Sequence, residues 1–196
     1  LVTLKALRRR GITKEAIYQL TEQVGLSKNQ VNLEFELIAS INRKIIDAKA
    51  NRYFFVQNPV EIKITNSPKI KEIEIPLHPD KKETRKIKVG KIFIQKDDLE
   101  KFRGQEVRLL HLFNIKLDKK ENEAIFTSEE NKNIQKIQWV SDSTKCKIMM
   151  PDGKFISGLA DSAVKNLNTS DIIQFERFGF VRMDDKKKCE FWFAHK

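Results

Sequence analysis

The residues best suited to chemistry lie near the C-terminus, where 171–182 reads Asp-Ile-Ile-Gln-Phe-Glu-Arg-Phe-Gly-Phe-Val-Arg. Gln174, Arg177 and Arg182 stand among Phe175, Phe178 and Phe180 in a run of β-formers. A glutamine amide both donates and accepts, a guanidinium donates through a planar fork, and aromatic faces stack on bases. Such a set suits the reading of unpaired nucleobases. The same pattern also fits an ordinary core strand whose polar residues face water, and this stretch alone leaves both readings open.

Elsewhere the chain offers no seat for catalysis. Cys146 and Cys189 are far apart and lack a CxxC partner, so neither a disulfide framework nor a zinc site is indicated, and a reducing cytoplasm fits. His78, His111 and His195 are scattered. No GxGxxG, phosphate-binding glycine loop or GxSxG occurs. The 196 residues carry a net charge of +11 with 40% apolar and 33% charged residues, a globular composition that favours a polyanionic partner, nucleic acid before membrane. No run approaches the ~20 apolar residues needed to span a bilayer, and no signal peptide is recognised. The chain opens Leu-Val-Thr-Leu without a methionine, which suggests a piece of something longer.

The elements that would position these residues change character along the chain. Residues 1–46 read as a helical module. A first helix from Thr3 ends at Gly11, a second starts at Thr13 with Ile17, Leu20 and Val24 on one face and stops at Gly25, and a third carries Leu33, Leu37, Ile38, Ile41 and Ile45. Arg8, Arg9 and Arg10 form a candidate patch for RNA phosphates, or a solvated helix end complementing the macrodipole. From 47 onward short strands alternate with polar turns. They are expected at 52–56, 60–65, 70–75, 87–94 with a turn or bulge at Gly90, 105–117 as one long strand, 124–127, 134–140, 145–150, 154–156, 171–183 and 189–194, with a helical turn within 161–168. That texture predicts a mainly β fold, and its length predicts two β-barrels.

Several phrases also resemble a known family. Thr3-Leu4-Lys5-Ala6-Leu7-Arg8-Arg9-Arg10-Gly11, then Asn42-Arg43-Lys44-Ile45-Ile46-Asp47, Asn51-Arg52-Tyr53-Phe54-Phe55-Val56, Asn58-Pro59-Val60, Leu77-His78-Pro79, Gly104-Gln105-Glu106-Val107-Arg108-Leu109, Gln138-Trp139-Val140 and Gln174-Phe175-Glu176-Arg177 follow in order the region after the catalytic core of class I glutamyl- and glutaminyl-tRNA synthetases. The likeness is strongest to the archaeal and eukaryotic glutamyl type. Leu110 stands where the glutaminyl pattern places a second arginine, and 101–103 is shorter than the glutaminyl insertion. The resemblance implies a helical connector module (1–46) and two anticodon-binding barrels (47–196), one built from 47–102 with 165–196 and the other from 103–164. It implies a tRNA-binding fragment with no catalytic residues, metal or cofactor of its own, whose full-length enzyme would attach glutamate using ATP and Mg. The expected partner is glutamate tRNA, with glutamine tRNA as a further candidate. Competing readings are the same region of a glutaminyl enzyme and a stand-alone RNA-binding barrel protein.

By motif position the resemblance assigns Arg52, Gln174 and Arg177 to the central uridine of the anticodon. A uracil edge offers two carbonyl acceptors and one N–H donor, which paired guanidinium donors and a glutamine amide can match. Gln174 and Arg177 have opposite strand parity, so their convergence requires a bulge, a strand end or the reach of the arginine. Arg108 matches an arginine near the first anticodon base, or else serves as a structural ion-pair residue.

Overall fold

The structure, a computed structural model, describes residues 3–25 and 34–196. Helices are α1 (Leu4–Arg10), α2 (Lys14–Val24), α3 (Phe35–Ile46) and α4 (Lys96–Lys101), with a 3-10 turn at Ser162–Asn166. Strands are β1 (Arg52–Tyr53), β2 (Phe55–Gln57), β3 (Pro59–Thr65), β4 (Glu72–Pro76), β5 (Thr84–Lys88), β6 (Ile92–Gln95), β7 (Glu106–Leu109) and β8 (Asn114–Leu117). They continue as β9 (Glu123–Ser128), β10 (Lys136–Ile137), β11 (Trp139–Val140), β12 (Ser143–Met149), β13 (Phe155–Asp161), β14 (Ile172–Phe175), β15 (Gly179–Asp185) and β16 (Glu190–His195). The fold is mainly β behind a helical N-terminal part, as the sequence predicts. Leu33, expected on the third helix, lies outside the described residues.

The chain divides into two compact units. One comprises Leu1–Arg52, Lys147–Ile156 and Leu167–Lys196, and the other Tyr53–Cys146 and Ser157–Asn166. This grouping differs from the expected pairing of 47–102 with 165–196. The cause is β3, which pairs antiparallel with β6 and parallel with β9, so that 53–102 is knitted to the strands that follow it.

In the first unit local chemistry sets the helix ends. Thr3 and Thr13 accept hydrogen bonds from the amides of Ala6 and Ala16, and Gly11 closes α1 at φ 94° with its N–H on the Arg8 carbonyl. Ile12, Ala16, Ile38 and Ile41 form the buried seam between α2 and α3. Asn42, fully buried on α3, bonds outward in three directions. The Thr13 amide donates to its Oδ1 (2.9 Å), while its Nδ2 donates to the Gly11 carbonyl (3.1 Å) and to His195 Nε2 (2.9 Å) on β16. The His195 ring is thereby assigned its tautomer, with Nδ1–H donating to the Lys196 carbonyl at 3.0 Å.

The second unit is a nearly closed barrel. Its sheet runs β10-β7-β8-β9-β3-β6-β11, and the two edge strands are separated in sequence by Gln138 alone. Closure leaves few free edges and wraps Phe54, Ile94, Leu109, Ile115, Leu117 and Trp139 into one core. An ion pair is buried in the same unit. Arg85 Nε donates to Asp161 Oδ2 at 3.1 Å, the same oxygen accepts from the Phe54 amide at 2.9 Å, and Arg85 Nη1 donates to the Pro76 carbonyl. The guanidinium also faces the rings of Phe54 (5.0 Å) and Tyr53 (5.4 Å).

Two expected long strands are hairpins. Residues 105–117 fold back between β7 and β8, with Val107 opposite Ile115 and Arg108 opposite Asn114. The apolar parity continues across the turn because Leu112 and Phe113 are themselves buried, and that continuity disguises the reversal. Residues 171–183 likewise reverse between β14 and β15, where Phe175 pairs with Gly179. The short strand expected at 154–156 is the start of the longer β13, Phe155–Asp161, and α4 occupies a stretch where no element is expected.

Gly158 on β13 lies so close to β2 that an added Cβ would stand 2.5 Å from both Phe55 Cε2 and the Val56 carbonyl. Gly158→Ala is expected to destabilise by about 1–3 kcal/mol, measured by urea denaturation, because the backbone oxygen cannot rotate away.

Burial lowers the pKa of His195 from its ordinary 6.5, and Arg43 and Arg10 act in the same direction against the Lys196 carbonyl and Glu36. The folded state therefore resists protonation that the unfolded chain accepts. Stability is fully present above 6.5 and is lost progressively as pH falls below it. Protonation would also abolish the bond from Asn42. The unfolding midpoint is expected to drop between pH 7.5 and pH 5, and His195→Gln should reduce that drop; His111, also lowered by burial, acts in the same direction.

Candidate nucleic-acid interface

Arg52 and Gln174 are brought together by strand pairing in the first unit. β1 lies beside β14, and the Gln174 amide donates to the Asn51 carbonyl at 2.9 Å. Along β14, Ile173 and Phe175 turn into the core, so Gln174 stands on the opposite, partly exposed face. Phe175 is fully buried edge-on against Phe191, with centroids 5.1 Å apart, and anchors the strand beneath that amide. The Arg52 guanidinium approaches Asp47 Oδ1 at 3.7 Å, while its Nε is buried with no hydrogen-bond partner among the described residues. An unmet buried donor costs about 1–3 kcal/mol, so this nitrogen keeps bonding capacity that no described residue uses.

Arg177 sits in the turn that ends β14. Its φ is 61°, its side chain is exposed, and the Phe178 amide closes the turn onto the Phe175 carbonyl at 3.0 Å. Gly179 completes the reversal at φ 141°, where a Cβ would meet the His195 carbonyl at 2.7 Å. The opposite parity of Gln174 and Arg177 therefore places no constraint on their direction, because the regular strand stops between them.

The arginines of α1 have divided roles. Arg9 makes a two-pronged contact with Asp184, Nε at 2.9 Å and Nη2 at 2.7 Å, and its guanidinium covers the Trp192 ring at 4.1 Å. Arg10 donates to the carbonyls of Phe193 and Ala194 and lies over Phe35 at 4.2 Å. Both fasten α1 within its unit. Arg8 is exposed and lines a cleft of about 680 Å³ with Lys14, Tyr18 and Arg182. Arg182 is held by Ser170 Oγ and Asp184 Oδ1, and burial lowers its pKa from the ordinary arginine value.

Arg108 is engaged by four protein oxygens. Nη1 reaches Asn114 Oδ1 (2.9 Å) and the carbonyls of Glu129 (3.1 Å) and Glu130 (2.9 Å), and Nη2 reaches the Leu112 carbonyl at 3.2 Å. It ties the β7–β8 hairpin to the following loop through these neutral acceptors. Sequence reasoning missed the Asn42–His195 contact and the Arg85–Asp161 pair, since nothing in the local pattern of either stretch marks a partner more than seventy positions away. Among the described residues no group of three or more His, Cys, Asp and Glu is placed to hold a metal, and no helix is long and apolar enough to cross a membrane.

Comparison with known proteins fits this geometry. Two family models, each described as the anticodon-binding domain of class I tRNA synthetases (E and Q), match residues 50–134 and 136–184. The glutamate–tRNA ligase of Methanocaldococcus jannaschii is 38% identical over 208 residues, covering 99% of this chain and 37% of that protein. Those of Pyrococcus abyssi and Thermococcus kodakarensis are each 40% identical, over 212 and 213 residues, with the same coverage. The chain thus spans a little over a third of the length of these curated relatives. With the matches running through β1, the barrel strands and the β14–β15 hairpin, the chain belongs to the anticodon-binding domain family of the class I tRNA synthetases of the E and Q type.

Proposed function

We propose that this chain is the tRNA-binding part of a glutamate–tRNA ligase, gripping the anticodon loop while a catalytic domain outside this sequence attaches glutamate with ATP and Mg. The observation that carries the reading is the pairing of β1 with β14, which sets Arg52 and Gln174 on neighbouring strands with Arg177 in the adjoining turn. The relatives named as glutamate–tRNA ligases support glutamate tRNA as the partner. In this reading Arg52, Gln174 and Arg177 take the edge of the central anticodon uridine: guanidinium donors meet the carbonyl oxygens, and the amide meets either group. The unmet Nε of Arg52 gains an acceptor when the base arrives or the side chain turns toward it.

Arg108 stands by the first anticodon base and acts chiefly by fixing the hairpin and the 129–130 carbonyls. Arg8 contacts phosphate, whereas Arg9 and Arg10 spend their donors inside the protein. The setting is the cytoplasm, where Cys146 and Cys189 would stay reduced.

Arg177→Ala is expected to weaken binding of cognate anticodon stem-loop by about 1–3 kcal/mol, measured by fluorescence anisotropy. The loss should shrink when the central base is changed. Equal losses on both loops would sink base readout. Binding of either loop should fall steeply with salt, since phosphate contacts release counterions.

A further inference from the structure

The tip of the β7–β8 hairpin, in the second unit, is held more firmly than a surface turn requires. The Leu109 amide donates to the Phe113 carbonyl and the Leu112 amide to the Leu109 carbonyl, each at 2.9 Å. The Leu110 amide reaches the Ile137 carbonyl at 3.1 Å, and Trp139 Nε1 donates to the Leu110 carbonyl at 2.9 Å. Arg108 Nη2 adds a bond to the Leu112 carbonyl. Within this clamp His111 adopts a left-handed backbone, φ 61°, a region histidine tolerates better than most residues but visits seldom. Leu109, Leu112 and Phe113 are buried and Leu110 half-buried, so His111 alone of 109–113 is exposed. A conformation this unusual persists where its surroundings over-determine it, and such places tend to be functional.

The ring it presents is prepared for stacking. It lies nearly parallel to Phe54, at 19° with centroids 6.4 Å apart, an offset aromatic arrangement with Phe54 anchored in the core. The charges acting on it are all cationic. Burial first, then Arg85, Lys136 and Arg108, lower its pKa and keep it neutral at physiological pH. Arg85 is neutralised by Asp161, and Arg108 is spent on protein oxygens. Lys136 remains exposed on β10, opposite Arg108 in the parallel β10–β7 register. A neutral exposed ring beside an exposed ammonium matches one nucleotide, with the base on the ring and the phosphate on the lysine.

We propose that His111 and Lys136 form a nucleotide site on the second unit, His111 stacking an unpaired base of the bound RNA loop and Lys136 holding its phosphate. The proposal rests on the reading that the chain binds an RNA loop.

The test measures binding of the intact protein to anticodon stem-loops in which each loop nucleotide in turn is made abasic. His111→Ala is expected to weaken binding of the complete loop about tenfold, in line with the stacking worth of a single base. That loss should vanish for one abasic position. His111→Phe should restore most of the affinity, and Lys136→Ala should flatten the salt dependence by about one phosphate contact. Unfolding midpoints of the variants report folding separately. Wild-type affinity in His111→Ala, or a loss shared by His111→Phe at every abasic position, would overturn the site. If the unsubstituted protein bound no loop at all, both the site and the function proposed above would fall. Normal loop binding with the Arg177 effect intact, but none from His111, would overturn the site alone.

Discussion

A single buried amide, Asn42, secures the part of the molecule on which the N-terminal helices and the last strand depend. Its three bonds satisfy the Gly11 carbonyl and the Thr13 amide, groups left over where α1 ends and α2 begins, and fix the His195 ring on β16. Unsatisfied, these groups would each carry a desolvation penalty, and the α1–α2 corner would have no reason to hold its angle. An aliphatic residue at this position would pack well on α3 and still leave the corner unfastened. Arg9 on Asp184 and Arg10 on the carbonyls of Phe193 and Ala194 reinforce the same attachment with charge-assisted bonds. The run of three arginines is thus largely a structural device, with Arg8 at its solvent end.

The second unit achieves its order differently. Closing a short-stranded sheet on itself leaves little edge for unwanted pairing and concentrates the apolar side chains in one core. The cost is the burial of Arg85 and Asp161. Their contact is offset by the Phe54 amide, the Pro76 carbonyl and two aromatic faces. Such a pair contributes less to net stability than to specificity of packing, because breaking it leaves a charge with no water to turn to. Phe54 is accordingly tied by its backbone to Asp161, by its ring to the core and by its outer side to His111.

The candidate interface draws its residues from a strand start, a strand face and a turn. Arg52 begins β1, Gln174 lies on the face of β14 opposite the core, and Arg177 occupies the turn. Ends and turns free side chains from the in-and-out alternation that a continuous strand imposes. The paired backbone beneath them holds their origins rigid. Rigid origins with adaptable ends are what the proposed grip on a single-stranded loop would call for.

Much of this was legible from residue types. Threonines and glycines marked the helix boundaries at Thr3, Gly11, Thr13 and Gly25 because capping is local chemistry, decided within a few residues. The mainly β character came from the alternation of short β-rich runs with polar turns, and the family from short phrases in order. What the sequence could not show were reversals and distant partners. Parity of apolar residues ran unbroken through 105–117, since the turn buries Leu112 and Phe113 as a strand would. Through 171–183 the density of β-formers continued past the turn, where Phe178 and Phe180 follow Phe175. Only tertiary structure decided that Arg108 would be consumed by carbonyls, that Asn42 would meet His195, and that His111 would stand exposed at a hairpin tip. Each depends on groups brought together across many residues by strand pairing, and periodicity along a chain carries no record of what faces it in space.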